Sequence, residues 1–314
     1  MKQVDSVNGV NGVNEVERAK PFHTIGLIGR PNAPTLGEPL GRIYAFLQAR
    51  GRKVWLEQQS AQHLRGLEET ALPLEELAER CDLAIVVGGD GTLLSAAAQL
   101  ADHDIALLGV NLGRLGFLAD LPQHDIAATL GPILEGAYEE ERRFLLNCQV
   151  GSERRTALND VVIHKWNIAR LIEFETRVDG RLVNRQRSDG LIISTPTGST
   201  AYALSSGGPL VHPELNATLL VPICPHTLSN RPIILSGDSH IEIRVCGTTR
   251  RDEVRVTCDG QSILPLAADG VVQITKYPKS IRLIHPQGHD YFYILRAKLG
   301  WSEEPRHPGR STPC

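Results

Sequence analysis

The stretch Leu83-Ala84-Ile85-Val86-Val87-Gly88-Gly89-Asp90-Gly91-Thr92 ends an apolar run in three glycines, one carboxylate and one hydroxyl. An unbroken apolar strand belongs in the middle of a parallel sheet. Ligands of such sheets bind beyond the carboxyl ends of the strands. Glycine lets a phosphate approach the backbone, and a following helix start offers it N–H groups. Leu93 to Ala98 favours such a helix. A carboxylate repels phosphate, so Asp90 points to chemistry, namely taking a proton from a hydroxyl. Gly-Asp-Gly turns and Asp helix caps are common. The packed form between a strand and a helix is the context that phosphate motifs require.

A second dense region runs from Arg187 through Ser188-Asp189-Gly190 to Thr195-Pro196-Thr197-Gly198-Ser199-Thr200-Ala201-Tyr202. Leu191 to Ile193 reads as a short strand, and Ala201 to Ser206 opens a short helix. The hydroxyls between them can donate to phosphate or ribose oxygens without adding charge. A capped turn is the ordinary alternative. A third piece, Asn159-Asp160 ahead of Val161-Val162, suits a ribose diol but also suits an Asx-turn.

The elements that must hold these pieces alternate strand and helix in the first half. Thr24–Gly29, Val54–Leu56, Leu83–Val87 and Ile105–Val110 read as strands. Leu40, Ile43, Tyr44 and Leu47 recur at helical spacing before Gly51, and Leu74–Arg80 is a second helix. This alternation predicts a parallel sheet flanked by helices. No Gly-x-Gly-x-x-Gly follows any of these strands, so the common dinucleotide fingerprint is missing. Beyond about residue 145, Ile241–Val245 and Val254–Cys258 alternate with period two, and Val271–Thr275 and Ile281–Ile284 continue the pattern. Asp179-Gly180, Asp259-Gly260 and Asp269-Gly270 supply hairpin turns. An all-β sandwich-like domain is expected there. Tyr291–Leu299 reads as a helix able to pack back on the first domain. The expected division is a disordered extension over 1–21, an α/β domain over 22–145, a β-sandwich over 146–285, a returning segment over 286–301 and a disordered tail over 302–314.

The chain has 314 residues, 41% hydrophobic and 22% charged, with a net charge of −3. That is room for about two domains, with no basic excess to suggest a nucleic-acid partner. No apolar run reaches the ~18 residues of a membrane span, and no apolar leader stands at the N-terminus. The six cysteines include no Cys-x-x-Cys pair, so no zinc or thioredoxin-type motif is expected. A reduced, cytoplasmic chain is the simplest expectation. His226 and His285 each stand beside a proline, in expected loops, and are expected to be structural, and no protein-held metal site is expected. Trp55, Trp166 and Trp301 are expected to be packing residues.

Taken together, Gly88–Thr92, Asn159-Asp160, Ser188-Asp189-Gly190, Thr195–Tyr202, Gly207-Gly208-Pro209, Pro225-His226-Thr227-Leu228 and Cys258-Asp259-Gly260-Gln261 resemble the motifs of the NAD kinase family. That family makes NADP from NAD and ATP. The first motif also occurs in lipid- and sugar-kinase relatives; the later segments set this chain apart from them. The resemblance covers Thr24 to about Trp301. It implies an N-terminal α/β domain, a C-terminal β-sandwich, NAD and ATP as substrates, magnesium with the ATP, and a homodimer or homotetramer. It implies Asp90 as general base for the 2′-hydroxyl of the adenosine ribose, with Gly88, Gly89, Gly91 and Thr92 as the phosphate loop. Gly91 would line the ribose as well. It assigns Asn159 and Asp160 to the nicotinamide-side ribose or the groups beside it, and Asp189 to the nicotinamide end. Thr200, Ala201, Tyr202, Ala203, Leu204 and Ser205 would line the dinucleotide pocket, and Gln261 and Arg170 would contact NAD. Arg187 resembles the form selective for NAD over NADH. Asp160 replaces the commoner glutamate and reaches one methylene less. The competing readings are an NAD sensor without catalysis and a related lipid or sugar kinase.

Overall fold

The computed structural model describes residues 19–301, apart from 31–32, 34, 65, 114, 120, 123–125, 167–169, 228, 248 and 267–269. The expected disordered ends therefore lie outside the described residues, except for 19–21.

The first half runs β1 (Thr24–Gly29), α1 (Gly37–Ala49), β2 (Lys53–Glu57), α2 (Gln58–Ala61), β3 (Ala71–Leu72), α3 (Leu74–Arg80), β4 (Leu83–Gly88), α4 (Asp90–Gln99), β5 (Ala106–Asn111), β6 (Leu121–Pro122) and α5 (Ile126–Leu134). The second half runs β7 (Tyr138–Val150), β8 (Glu153–Ala157), β9 (Asp160–Lys165), β10 (Ile172–Val178), β11 (Arg181–Ser188), β12 (Gly190–Ser194), α6 (Tyr202–Ser205), β13 (Ala217–Ile223), β14 (Ile233–Ser236), β15 (Ile241–Val245), β16 (Val254–Cys258), β17 (Ser262–Pro265), β18 (Val271–Pro286) and α7 (Tyr291–Leu299).

The parallel strands lie in the order β3-β2-β1-β4-β5. Every residue of β4 is buried, because both faces of the sheet are covered. Leu83, Ile85 and Val87 pack with Leu40, Ile43 and Leu47 of α1 and Leu130 and Ile133 of α5. Ala84 and Val86 pack on the opposite face with Leu77 of α3 and Leu93 and Ala97 of α4. Double coverage is the physical reason for the unbroken apolar run.

The second half is a sandwich. Strands β14-β13-β12-β9-β16-β17 form one antiparallel sheet. Its inner residues Val161, Ile163, Leu191, Ile193 and Val256 meet Leu146, Phe174, Ile243 and Ile274 of the other sheet. Its outer residues Val162, Ile192, Leu219 and Val221 are covered by Ala203 and Val211, so the segment carrying α6 is a lid on that face.

The two halves share one large sheet. Strand β18 pairs with β15 at its start and with β5, in parallel, at Arg282 and Leu283. The sequence pattern predicts two strands here, over 271–275 and 281–284. They form one strand with a register shift between Lys276 and Ser280. Tyr277, Pro278 and Lys279 lie opposite Leu145 alone, and this break in the ladder accommodates Pro278, which has no N–H to donate. Asp179-Gly180 is a two-residue hairpin and takes positive φ at both positions, as such a turn demands; Asp259-Gly260 also take positive φ, in a connection of three residues between Cys258 and Ser262. Asp269 lies outside the described residues. Helix α7 starts on an Asp290 cap and ends at Gly300 in the left-handed region. Its Lys298 ammonium lies 5.4 Å from the centroid of the Phe117 ring, in the first half.

Candidate functional site

The parallel sheet reverses its strand order between β1 and β4, and a crevice opens at such a switch point. A cavity of about 840 Å³ lies there. Ile28, Gly29 and Arg30 at the end of β1, Glu57 to Gln59 at the end of β2, and Gly89, Gly91 and Thr92 at the start of α4 line it. Its floor is cross-braced. The Glu57 carboxylate accepts from the amides of Gln59 and Ser60 at 2.8 and 2.9 Å. It also accepts from the Ser60 hydroxyl at 2.6 Å, and the Gly29 amide donates to that hydroxyl oxygen at 2.8 Å. Gly88 is buried, and a Cβ there would strike Thr92. Gly89 and Gly91 face open space. The loop glycines therefore divide into one needed for packing and two that bare the backbone.

Asp90 is the first residue of α4 and is half-buried. Its carboxylate does not line this cavity. It turns toward the loop after β5. Oδ1 accepts from the amides of Leu118 and Ala119 at 3.1 and 3.0 Å, and Oδ2 accepts from Phe117 at 2.9 Å. A Cβ at position 116 would collide with this carboxylate, so Gly116 admits it.

A second cavity, of about 590 Å³, lies on the six-stranded sheet. Asn159, Asp160, Asp189, Ala201 and Tyr202 line it, together with His164, Lys165 and Asp259. Asp189 pairs with Lys165, Oδ1 to Nζ, at 2.6 Å. Asp160 is buried, at 5% exposure. Burial, with the charge of Asp259 adding to it, raises its carboxyl to about 7. Burial also pushes the Asp259 carboxyl upward, against three backbone amides that lower it.

The two cavities meet at one hairpin. Asp259 and Gly260 line the second, and Gln261 lines the first. Gln261 Nε2 donates to the Gly91 carbonyl at 3.0 Å.

Other expected contacts lie elsewhere. Arg187 is exposed on β11, in register with Glu173. Arg170 is exposed beside undescribed residues. Thr200, Ala203, Leu204 and Ser205 do not line either cavity; Ala203 is buried under the sheet, and the Thr200 hydroxyl donates to the Thr197 carbonyl at 3.2 Å. The hydroxyl run is used differently from the sequence expectation. Ser194, Thr195, Thr197 and Ser199 are buried. Thr195 donates to the Leu158 carbonyl at 2.6 Å, and Ser199 bridges the Pro196 carbonyl and the Val211 amide at 2.6 and 3.0 Å. Their polar groups are bonded within the turn, because a buried turn must satisfy its own backbone.

Sequence reasoning passed over Arg30 and Lys165, which sit in no dense motif, and gave Asp259 no role beyond its turn and the resembling segment, although the three line the two cavities. It also misplaced His285, which is a buried residue of β18 and not a loop residue. Glu141, His285 and His289 bring ligand-type atoms within 4.8 Å of one another, and the His-x-x-x-His spacing was legible. Glu141 already pairs with Arg143 at 2.5 Å, and the two rings stack face to face with centroids 3.9 Å apart. Both features suit a buried ion-pair network. Burial pushes the Glu141 carboxyl up, but hydrogen bonds from His285 and Arg143 outweigh it and hold the group at about 2. Trp166 and Trp301, expected in the packing, are exposed.

A parallel sheet with a crevice at its switch point, fused through one strand to a sandwich with its own polar cavity, is a two-domain nucleotide-binding architecture. The family model of the ATP-NAD kinase N-terminal domain matches residues 25–138, and that of the C-terminal domain matches residues 158–286. The NAD kinase of Nitrosococcus oceani is 49% identical over 291 residues, covering 91% of this chain and 99% of that protein. The NAD kinase of Teredinibacter turnerae is 49% identical over 286 residues, covering 90% and 97%. The crystal structure of yeast NADH kinase complexed with NADH aligns with a TM-score of 0.81 at 26% identity, over 91% of this chain and 90% of that one. That of an NAD kinase from Archaeoglobus fulgidus in complex with ATP gives 0.71 at 27% identity, over 87% and 99%. The chain belongs to the NAD kinase family. The sensor and lipid- or sugar-kinase readings are not favoured.

Proposed function

We propose that this chain transfers the γ-phosphoryl group of ATP to the 2′-hydroxyl of the adenosine ribose of NAD, giving NADP and ADP. The α/β domain, 22–145, carries the ATP side, and the sandwich, 146–285, carries the NAD side. The observation that supports this most is the shared hairpin. Asp259 and Gly260 line one cavity, while Gln261 lines the other and bonds to Gly91, one residue from Asp90. Two substrates in these cavities would meet beside Asp90.

In this reading the triphosphate lies against Gly89, Gly91 and Thr92, where the start of α4 favours negative charge. Arg30 adds a planar donor for phosphate oxygens. Magnesium enters as part of the nucleotide. Glu57 and Asp90 already accept backbone amides, so the reading assigns the ion no ligand set of its own. Phosphoryl transfer needs positioning and charge stabilisation more than covalent help. Asp90 supplies the base. A carboxylate oxygen has room for two hydrogen bonds, and Oδ2 takes one from Phe117, so a ribose hydroxyl can donate to its remaining lone pair. The loop amides hold the carboxylate still for that contact.

The finer points of this reading are a homodimer or homotetramer and a cytoplasmic location. Leu182, Ile234 and Ile263 are exposed on outlying strands of the sheets, where a second copy could cover them. Cys81, Cys148, Cys224, Cys246 and Cys258 are all free thiols. No helix among the described residues is long and apolar enough to cross a membrane. Light scattering on the purified chain tests the assembly.

The test of the chemistry is a coupled NADP-formation assay on Asp90→Asn. Loss of a general base lowers kcat by about 10²–10⁴ while NAD binding measured by calorimetry persists. Turnover near that of the parent, with NAD bound, would remove Asp90 from this role.

A further inference from the structure

We infer that Asp259 is a positioning residue: its carboxylate shapes the Leu158–Asn159–Asp160 segment so that Asn159 and Asp160 are presented to the dinucleotide. The inference rests on the reading of the second cavity as the NAD site. It gives a role to a residue that this reading places only in the cavity wall.

Three consecutive amides converge on this one side chain. Leu158, Asn159 and Asp160 donate to it at 2.9, 2.8 and 3.1 Å. The Asp259 amide returns a bond to the Asp160 carbonyl at 2.9 Å. The carbonyls of the same segment are held from the other side. Thr195 Oγ1 donates to the Leu158 oxygen at 2.6 Å, and the Thr195 amide donates to the Asn159 oxygen at 2.9 Å. The backbone is thus fixed on both edges. Asn159 and Asp160 both line the cavity.

The hairpin turn does not by itself require a carboxylate. Asp259 and Gly260 have φ of +52° and +65°, and Asn-Gly makes this turn at least as well. What asks for two acceptor oxygens is the cup of N–H groups, an anion-binding nest. The cost is a like-charged neighbour, because Asp160 shares the cavity and its charge opposes that of Asp259. A cap serving stability alone gains nothing from such a pair. A site that must hold two adjacent polar side chains in one pose does gain from it.

The experiment compares Asp259→Asn, Asp160→Asn and the double variant in the full chain, by steady-state NADP formation. Asparagine keeps the turn and the size but sets an amide NH₂ against the amide cup. The expected result is a KM for NAD at least tenfold higher, with the KM for ATP within twofold of the parent. The double variant is expected to be no worse than the poorer single one, because both act through one segment. The pH profile supplies a readout that folding alone would not move. Asp160 shares its cavity with His164 and Lys165 of its own strand, with Asp189, and with Asp259. Removing the Asp259 charge moves the acidic inflection of the NAD profile to lower pH.

Equal rises in both KM values with an unmoved inflection would overturn the inference. So would an unchanged NAD KM in Asp259→Asn while Asp160→Asn raises it; the reading of the cavity would then stand and the positioning role would fall. If neither Asp160→Asn nor Asn159→Ala alters NAD binding, both are overturned. Should Asp259→Asn fail to fold, hydrogen exchange on the parent decides. Amides 158 and 159 protected as well as those of Val161 to Lys165 support the clamp, and loop-like exchange there refutes it.

Discussion

Gln261 reaches from the sandwich to the Gly91 carbonyl at the start of α4, at 3.0 Å. It is a single bond across the opening between the two cavities. Gln261→Ala removes it without touching either core. A hydrogen bond of this kind contributes about 1 kcal/mol. The expected outcome is a several-fold rise in the KM for ATP, measured in the coupled assay, with the melting temperature nearly unchanged.

Asp160 links pH to stability. Its carboxyl sits at about 7 in the folded chain, raised from an ordinary value of 3.8. Between those values the folded state holds a proton that the unfolded state has lost. Stability from this group is therefore full at low pH and falls as pH rises toward 7, by roughly 4 kcal/mol at most. Asp160→Asn cannot lose that proton. Its melting temperature relative to the parent should rise between pH 5 and pH 8, while its KM for NAD worsens. Thermal scans at the two pH values check the first part. A parallel pH dependence for the two chains would refute it.

Arg143 is 4% exposed. It bonds to Glu141 at 2.5 Å and to the Thr197 hydroxyl at 3.0 Å. Arg143→Met removes one of the two groups that hold the half-buried Glu141 carboxylate and leaves only His285 beside it, a loss of about 1.5–3 kcal/mol. Urea unfolding near pH 7 measures it. Because Glu141 is held at about 2, its contribution is present above its ordinary range near 4.5 and fades as pH falls toward 2. The difference between variant and parent should narrow in acid.

Ser199 separates a built turn from a ligand-binding loop. Its hydroxyl is fully buried and accepts from the Val211 amide at 3.0 Å. Ser199→Ala strands that amide at a cost of about 1–3 kcal/mol. Both KM values should stay within about twofold where the chain remains folded, since the hydroxyl faces no cavity.

Much of this was legible in the residue order. The strand over 83–88 shows in its apolar run, because a doubly covered strand leaves no polar position. The helix over 291–299 shows in its Asp290 start and Gly300 stop. Asn159, Asp160, Asp189 and Tyr202 were flagged by composition and by family resemblance, and they line one cavity. The hydroxyls of Ser194, Thr195 and Ser199 bond to the backbone around their own turn. Sequence shows how many polar groups a turn carries, but not which of them the turn itself consumes.

The alternation of elements, the glycine-flanked carboxylate at position 90 and membership of a family can be read from residue order, since each rests on local pattern. That Asp90 turns to the amides of 117–119, that Asp259 meets Leu158 a hundred residues away, and that β18 joins the two halves in one sheet emerge with the folded chain. Those relationships come from sheet register and crossover packing. Register is a property of paired strands, and neither strand carries it alone.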